Sequence, residues 1–373
     1  MPERRTHFPT NDSHLEPASR HKRILVAPLN WGLGHVARCV PLIQTLESLG
    51  AEVLLASDGA ALLLLRAEFP HLRAFNLPSY GIRYDTYNMV WNITRQLPRI
   101  VWAVRAEQAE TERLVAEHGI NGIVSDNRYG CFSRQAHSVM LTHQLRPRIP
   151  SFLLDWPAQI VLRRALGKFD AVWVPDAHGD PNLSGQLSHG EPVHPNTRFT
   201  GILTRMKSYP REREYDVAVV LSGPEPQRSI LENRLMEQAM SLPQDFIFIQ
   251  GKTQAKQHYR VGENIEVVSY LTSKDLNDVL MASRIVVCRS GYSSIMDLAV
   301  LGKKAILIPT PGQTEQEYLA ESLAAQGLFL AQHQDKINLE EGIRSLGNTR
   351  GLAPGLFPTD AHKALLEKWL GEI

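Results

Sequence analysis

The chain has 373 residues, 43% apolar and 21% charged, an ordinary composition for a globular protein with two or three buried cores. Its formal net charge of +1 gives no global case for nucleic acid, so no nucleic-acid partner is expected and any basic patch is local. Cys39, Cys131 and Cys288 are too few and too scattered for a disulfide framework or a cysteine-rich metal site, which favours a reducing, cytoplasmic compartment.

Residues 1–21 are polar, contain proline, lack the apolar stretch of a signal peptide and read as a disordered tail. Arg23–Pro28 reads as a first strand, followed by the loop Leu29–Gly34 and a helix from His35 to Leu49. Glu52–Ser57 is the next strand, then a helix through Leu65 and a strand over Leu72–Leu77. A long helical region from Asn88 to His118 contains Pro98, which predicts a kink or break. Gly122–Ser125, Val139–Thr142 and Ala171–Val174 read as further strands.

A polar stretch, Lys207–Glu214, precedes a second series. Strands are expected at Asp216–Leu221, Phe246–Gln250, Glu266–Ser269, Arg284–Cys288 and Ala305–Pro309. Helices are expected at Arg228–Ser241, Lys274–Met281, Ser293–Leu301 and Glu315–Gln326. Alternating strands and helices imply parallel βαβ units, hence an α/β class with two Rossmann-like domains facing a cleft. The domains are expected over 22–206 and 207–373, with a final helix, Ala361–Leu370, packing across either half. The longest apolar runs fall far short of the ~20 residues of a membrane span.

Ligands of such sheets bind where loops leave the carboxyl ends of the strands. The first such loop, Asn30 to His35, offers Gly32 and Gly34 for a tight turn beside a helix start that favours an anion. It lacks the third glycine of a dinucleotide fingerprint, and only Asp58 stands near the end of the second strand. His35 reads either as a general base or as a residue that packs the turn. The matching loop of the second domain carries Ser222 and Gly223 before two prolines, and Arg228 is either a phosphate ligand or a solvated helix residue.

The richest segment follows the strand ending at Cys288. Arg289, Ser290, Gly291, Tyr292, Ser293 and Ser294 open a helix whose backbone N–H groups suit a diphosphate. Asp297, one turn further on, can accept both hydroxyls of a ribose. The next loop holds Gln313, Glu315 and Gln316, side chains able to hydrogen-bond sugar hydroxyls.

The stretch Tyr270–Gln316 resembles the glycosyltransferase family 28 group, above all the MurG-like transferases, and its Tyr270 and Leu271 join the donor-binding set on that ground. It is also similar to the signature of plant and animal UDP-sugar transferases, with Gly291, Tyr292, Ser293, Ser294 and Asp297 in matching positions and Glu315–Gln316 at the acidic–Gln pair. The resemblance implies a GT-B fold, a nucleotide-sugar donor with UDP as first choice, no resident cofactor or metal, and single displacement with inversion. Under it His35 is the candidate base and Asp126 the residue that orients it, although Asp126–Asn127 reads equally well as a turn. Helix amides near Ser290–Ser294 and the Ser222–Gly223 loop would hold the leaving diphosphate, with Arg289 helping. The acidic ribose position is Asp297 where the family usually has Glu, and Ser222–Gly223–Pro224 departs from the family's Gly-Gly-Ser pattern, which argues against assigning the peptidoglycan reaction itself.

The implied acceptor is a small molecule or a lipid-linked glycan gripped by the first domain. Tyr84–Arg105 mixes Trp91, Leu97, Val101 and Trp102 with Arg95, Arg99, Arg105 and the preceding Arg83, and Arg146–Arg164 mixes Phe152, Trp156 and Ile160 with four more arginines. Such helices either lie on the cytoplasmic face of an anionic membrane or bury their apolar residues under a solvated basic face. His137, His143, Asp155 and Trp156 are weaker candidates for the acceptor side. A nucleotide-sugar hydrolase or epimerase, and a non-catalytic nucleotide-sugar sensor, fit the same donor features.

Overall fold

The computed structural model describes residues 21–32, 34–81, 89–147, 152–252, 257–353 and 355–373, and the side chains of 89–94 and 152–155 lie outside it. The expected tail falls almost wholly on residues 1–20, outside the described residues. So do Tyr84, the side chains of Trp91, Phe152 and Asp155, and Leu33 of the first loop.

The first half alternates as β1 (Arg23–Pro28), α1 (Gly34–Ser48), β2 (Glu52–Ser57), α2 (Gly59–Glu68), β3 (Arg73–Asn76), α3 (Met89–His118), β4 (Gly122–Asp126) and β5 (His137–Leu141), then α4 (Phe152–Leu166), β6 (Ala171–Val174) and β7 (Thr197–Phe199). These strands form one parallel sheet in the order β3-β2-β1-β4-β5-β6-β7. Its strands β1, β2 and β4 are buried nearly end to end, as a sheet covered by helices on both faces requires.

The second half runs β8 (Tyr215–Val220), α5 (Gln227–Ala239), β9 (Phe246–Ile249), β10 (His258–Val261), β11 (Ile265–Val268), α6 (Ser273–Ala282), β12 (Ser283–Cys288) and α7 (Tyr292–Leu301). It continues through β13 (Lys304–Leu307), α8 (Thr314–Ala325), β14 (Leu330–Ala331), α9 (Leu339–Ser345) and α10 (Ala361–Glu372). The order is β10-β11-β9-β8-β12-β13-β14, parallel except for the β10–β11 hairpin. The fold is α/β with two doubly wound sheets, each reversing direction beside its first strand.

Three details differ from the sequence reading. α3 continues through Pro98 as one helix, where a kink or break was expected. β10 was not foreseen, because His258–Val261 is only four residues long and its first three are exposed, too short a run for its alternation to stand out. β7 and β14 are too short, at three and two residues, to leave a periodic signal.

The last helix settles on the first half. Leu366 and Trp369 of α10 join the core around β1, β4 and α1, and the Trp369 ring meets Trp173 edge-on with centroids 5.2 Å apart. Trp369 Nε1 donates to His137 Nδ1 at 2.9 Å, and His362 Nε2 lies 2.9 Å from Thr45 Oγ1. Gly122 makes room for this: a Cβ there would lie 2.7 Å from the Trp369 ring.

Register decides which loops meet. Pro28 of β1 pairs with Asp126 of β4, and Asp126 pairs with Leu141 of β5, so three adjacent strands end together. In the other sheet Val220, Cys288 and Leu307 align in the same way. Each sheet therefore presents three loops at its carboxyl edge, and Ser293 Oγ at the start of α7 donates to the Gly34 carbonyl at 2.9 Å, joining the two edges.

Candidate active site

His35 and Arg38 sit three residues apart on the first turns of α1 and so share a face. His35 Nδ1 lies 2.8 Å from Asp126 Oδ1. Arg38 Nε donates to Asp126 Oδ2 at 2.6 Å, and its Nη2 contacts both Asp126 Oδ1 and His35 Nδ1. Asp126 and Arg38 are buried, whereas His35 keeps an opening. His35 Nδ1 stands 2.8 Å from both Asp126 Oδ1, which only accepts, and Arg38 Nη2, which only donates; the tautomer that bonds Asp126 carries its proton on Nδ1 and leaves the lone pair on Nε2. This is the arrangement of an oriented base.

The electrostatics follow from burial against pairing. Burial works against the Asp126 charge, but Arg38 and then His35 outweigh it and hold the carboxyl well below its usual range. Burial also pushes His35 below its ordinary value, Asp126 opposing and Arg38 reinforcing that shift. Asp126 is thus an anion throughout the working range and His35 is neutral at neutral pH.

A second buried cluster lies behind this site. Arg128 donates to Asp58 at 2.7 Å and to Glu107, and the Tyr80 hydroxyl donates to Glu107 at 2.6 Å. Asn30 Nδ2 reaches the other Asp58 oxygen at 3.2 Å, fixing the first loop to the start of α2. The Asp58 carboxylate is therefore committed to the protein, consistent with the weak dinucleotide signal.

On the opposite edge α7 starts at Gly291, whose cap has no side-chain hydrogen bond and where a Cβ would meet nothing within 4 Å. Helix-start amides in so open a setting suit a diphosphate. Gly32 and Gly223 have φ of +87° and +101°, a backbone region that only glycine enters cheaply, so both loops turn sharply at the cleft. Thr310 Oγ1 is buried without a partner, 3.7 Å from where a Gly223 Cβ would stand. Its hydroxyl is the nearest side-chain group to that turn able to hydrogen-bond a ligand there.

Asp297 takes a hydrogen bond from the Thr204 hydroxyl at the crossover between the halves. Burial raises its pKa to about 6, against the weaker opposition of Thr204 and Arg205. With Thr204 on one oxygen the carboxylate keeps acceptor capacity that two vicinal hydroxyls could use. Gln316 Oε1 accepts from the Thr310 amide at 2.9 Å while its Nε2 donates to Gln313 Oε1 at 2.6 Å, which shapes the loop before α8. Tyr270, Leu271 and Ser294 are partly exposed, and Ser222 is exposed on its loop.

Several expected ligands stand elsewhere. Arg289 is buried and spends its guanidinium on the Gln227, Ile308 and Pro309 carbonyls and on Gln334, so it ties loops together rather than facing a phosphate. Arg228 is likewise closed in by Glu225 and Glu232. Ser290 Oγ donates to the Gln316 carbonyl, and Ser293 Oγ to Gly34. The Tyr292 ring is buried, with its hydroxyl on the Pro175 carbonyl at 2.9 Å. Gly34 is needed for packing, since a Cβ there would lie 2.8 Å from Ser293 Oγ. These residues keep their backbone at the site, but their side chains hold the two halves and the loops together.

Glu315 reaches across the cleft, its Oε1 accepting from His143 Nε2 at 2.8 Å and its Oε2 from Gln144 Nε2. Sequence reasoning did not single out Arg38, Gln144 or Thr204. Only Arg38 left a signal, its three-residue spacing from His35. Among the described residues no group of three or more His, Cys, Asp and Glu is arranged to hold a metal ion.

Two facing doubly wound sheets, with an oriented histidine on one edge and an open helix start on the other, define the frame of the GT-B glycosyltransferases. SnogD from Streptomyces nogalater, a glycosyltransferase, superposes with a TM-score of 0.61 at 16% identity, over 95% of this chain and 96% of that one. MurG from Acinetobacter baumannii superposes at 0.56 with 12% identity, over 94% and 100%. The spinosyn rhamnosyltransferase SpnG complexed with thymidine diphosphate gives 0.59 at 16% identity, over 94% and 95%. At these identities the likeness establishes the fold.

Residues 231–351, within the second half of the GT-B frame, match the family description "Glycosyltransferase family 28 C-terminal domain". A curated relative from Methylobacterium radiotolerans is 44% identical over 63 residues, covering 16% of this chain and 17% of the relative. It is a UDP-N-acetylglucosamine–N-acetylmuramyl-(pentapeptide) pyrophosphoryl-undecaprenol N-acetylglucosamine transferase. A protein of the same name from Flavobacterium psychrophilum is 43% identical over 53 residues, 14% of each chain. The matched segments thus span less than a fifth of the length of these curated relatives.

Proposed function

We propose that the chain is a glycosyltransferase that moves a hexose or N-acetylhexosamine from a nucleoside diphosphate sugar, UDP-linked in the first instance, to an acceptor hydroxyl with inversion. The observation that carries this reading is the His35–Asp126 pair at 2.8 Å, with its loop bonded directly to the open start of α7. His35 Nε2 takes the acceptor hydroxyl proton as that oxygen attacks the anomeric carbon from the face opposite the leaving group. The bond from that carbon to the diphosphate oxygen breaks, and its electron pair leaves with the diphosphate. Asp126 stabilises the imidazolium that forms, and the α7 amides and the Gly223–Thr310 cradle take the negative charge. Asp297 accepts the ribose hydroxyls. Charge stabilisation is assigned wholly to protein groups, so the mechanism calls for no metal or resident cofactor.

The acceptor is a hydroxyl compound held by the first half, and a lipid-linked glycan is the favoured class. Trp102 on α3 and Trp156 on α4 are 68% and 73% exposed, with Leu97, Val101 and Val161 also exposed and Arg99, Arg105, Arg163 and Arg164 on the same helices. Those apolar side chains are not core, which favours the membrane-surface alternative. Among the described residues no helix is long and apolar enough to cross a membrane.

The test is binding followed by turnover. His35→Ala is expected to keep nucleoside diphosphate affinity by calorimetry while losing about two to four orders of magnitude in kcat. Unchanged turnover in that variant removes His35 from the chemistry. Release of free or epimerised sugar, equally fast without acceptor, would instead identify a hydrolase or epimerase.

A further inference from the structure

The base and the sugar-side carboxylate belong to different halves of the chain, yet one unbroken line of hydrogen bonds joins them. Arg38 clamps Asp126 with Nε and Nη2 and has Nη1 left over, 3.2 Å from His143 Nδ1. A guanidinium only donates, so His143 Nδ1 must carry its lone pair and the single ring proton must be on Nε2. That proton points at Glu315 Oε1, 2.8 Å away on α8 of the other half. The His143 ring is buried and lies flat against Tyr292 of α7, with centroids 4.1 Å apart and planes 8° apart, so it cannot swing off this line without opening the stack. Gln144 holds the second Glu315 oxygen.

We infer that Arg38, His143 and Gln144 are positioning residues that set Glu315 for reading the donor sugar, so that the sugar subsite is completed by the same half of the chain that carries the base. Each Glu315 oxygen has a second lone pair, and Glu315 keeps 29% of its side chain exposed. The carboxylate can therefore accept from sugar hydroxyls while its orientation is imposed from across the cleft. Arg38 serves both ends: its fork fixes Asp126, which orients His35, and its spare N–H fixes the tautomer of His143. Correct seating of the sugar and correct aim of the base then depend on a single guanidinium. The inference rests on the nucleotide-sugar reading given above.

The experiment is calorimetric titration of the full chain with UDP and UDP-N-acetylglucosamine, and with dTDP and dTDP-glucose as a second pair. The quantity read is the affinity of each sugar nucleotide relative to its own diphosphate. His143→Leu is expected to lower that ratio about tenfold with diphosphate binding unchanged, a factor equal to about 1.4 kcal/mol. His143→Gln, which can still accept from Arg38 and donate to Glu315, is expected to retain it within about threefold. Arg38→Lys keeps the cation but loses the fork, and is expected to lower the ratio as His143→Leu does. Should the buried leucine variant fail to fold, Gln144→Leu reads the same carboxylate and is expected to shift the ratio in the same direction. Equal losses for diphosphate and sugar nucleotide, or no loss in either, overturn the inference. A parent protein that binds none of the four compounds overturns the donor reading itself, a separate outcome.

Discussion

Burial lowers the pKa of His35, and Asp126 only partly restores it. The base form is the active one, so kcat/KM should rise with pH along a limb lying below the ordinary histidine value of about 6.5, and be level above it. A pH–rate profile with subsaturating donor checks this. Asp297 has the opposite behaviour. Its folded pKa of about 6 exceeds the ordinary 3.8, so the stability it contributes is complete below about 3.8 and lost as pH rises through about 6. Asp297→Asn removes that titration. Thermal melts should show the variant more stable than the parent at pH 7–8, by on the order of 1–3 kcal/mol, with little difference at pH 4. The same variant should bind nucleoside diphosphate more weakly, because a neutral amide is a poorer acceptor for two hydroxyls. A residue that weakens the fold and strengthens binding is what a functional carboxylate looks like energetically.

The βαβ units were legible because parallel strands buried on both faces leave continuous apolar runs, such as Ile24–Ala27 and Val286–Cys288, between longer helical stretches. Edge elements were not. β10 is held by its antiparallel partner, His258 opposite Val268, rather than by its own burial, and hydrogen-bond pairing leaves no mark on composition. The destination of α10 was equally hidden, since an amphipathic helix shows that it packs but not against what. Its seat depends on Gly122, the first residue of β4. Gly122→Ala would drive a methyl to 2.7 Å from the Trp369 ring, so a loss of about 1–3 kcal/mol is expected in denaturant melts. Nucleoside diphosphate binding should be unaffected once the variant is folded, because the contact lies at the far end of β4 from Asp126.

At the scale of the molecule the two halves meet through an apolar seam, where Leu183, Leu187, Ile202 and Met206 join the core of the second sheet, and through polar contacts at the cleft: Ser293 to Gly34, Tyr292 to Pro175, Glu315 to His143 and the Tyr318 hydroxyl, which accepts from the Gln186 amide at 2.8 Å. The polar contacts line the cleft, where water and ligands can replace them, whereas the apolar seam holds the halves together. The exposed tryptophans of α3 and α4 lead to a further expectation. Trp102→Ser with Trp156→Ser should reduce sedimentation with vesicles rich in anionic lipid, with turnover on a water-soluble acceptor retained. Unchanged sedimentation would assign those side chains to another partner.

The sequence by itself determined the class of fold, the loops that end at the cleft, and the His35 and Asp297 candidates, because strand periodicity, glycine spacing and helix starts are local properties of the chain, while Asp126 entered through the family resemblance. Tertiary structure alone decided which polar side chains are spent and which are left for a ligand. Arg289 and Tyr292 were offered by the sequence as ligands and their side chains brace the loops and the two halves, whereas Arg38, His143 and Gln144 became the bridge to Glu315. The reason is physical: the neighbours that use up a side chain's hydrogen-bonding capacity can lie far off in sequence, as Pro175 does for Tyr292 and Glu315 for His143, and strand register with the meeting of two sheets brings them together.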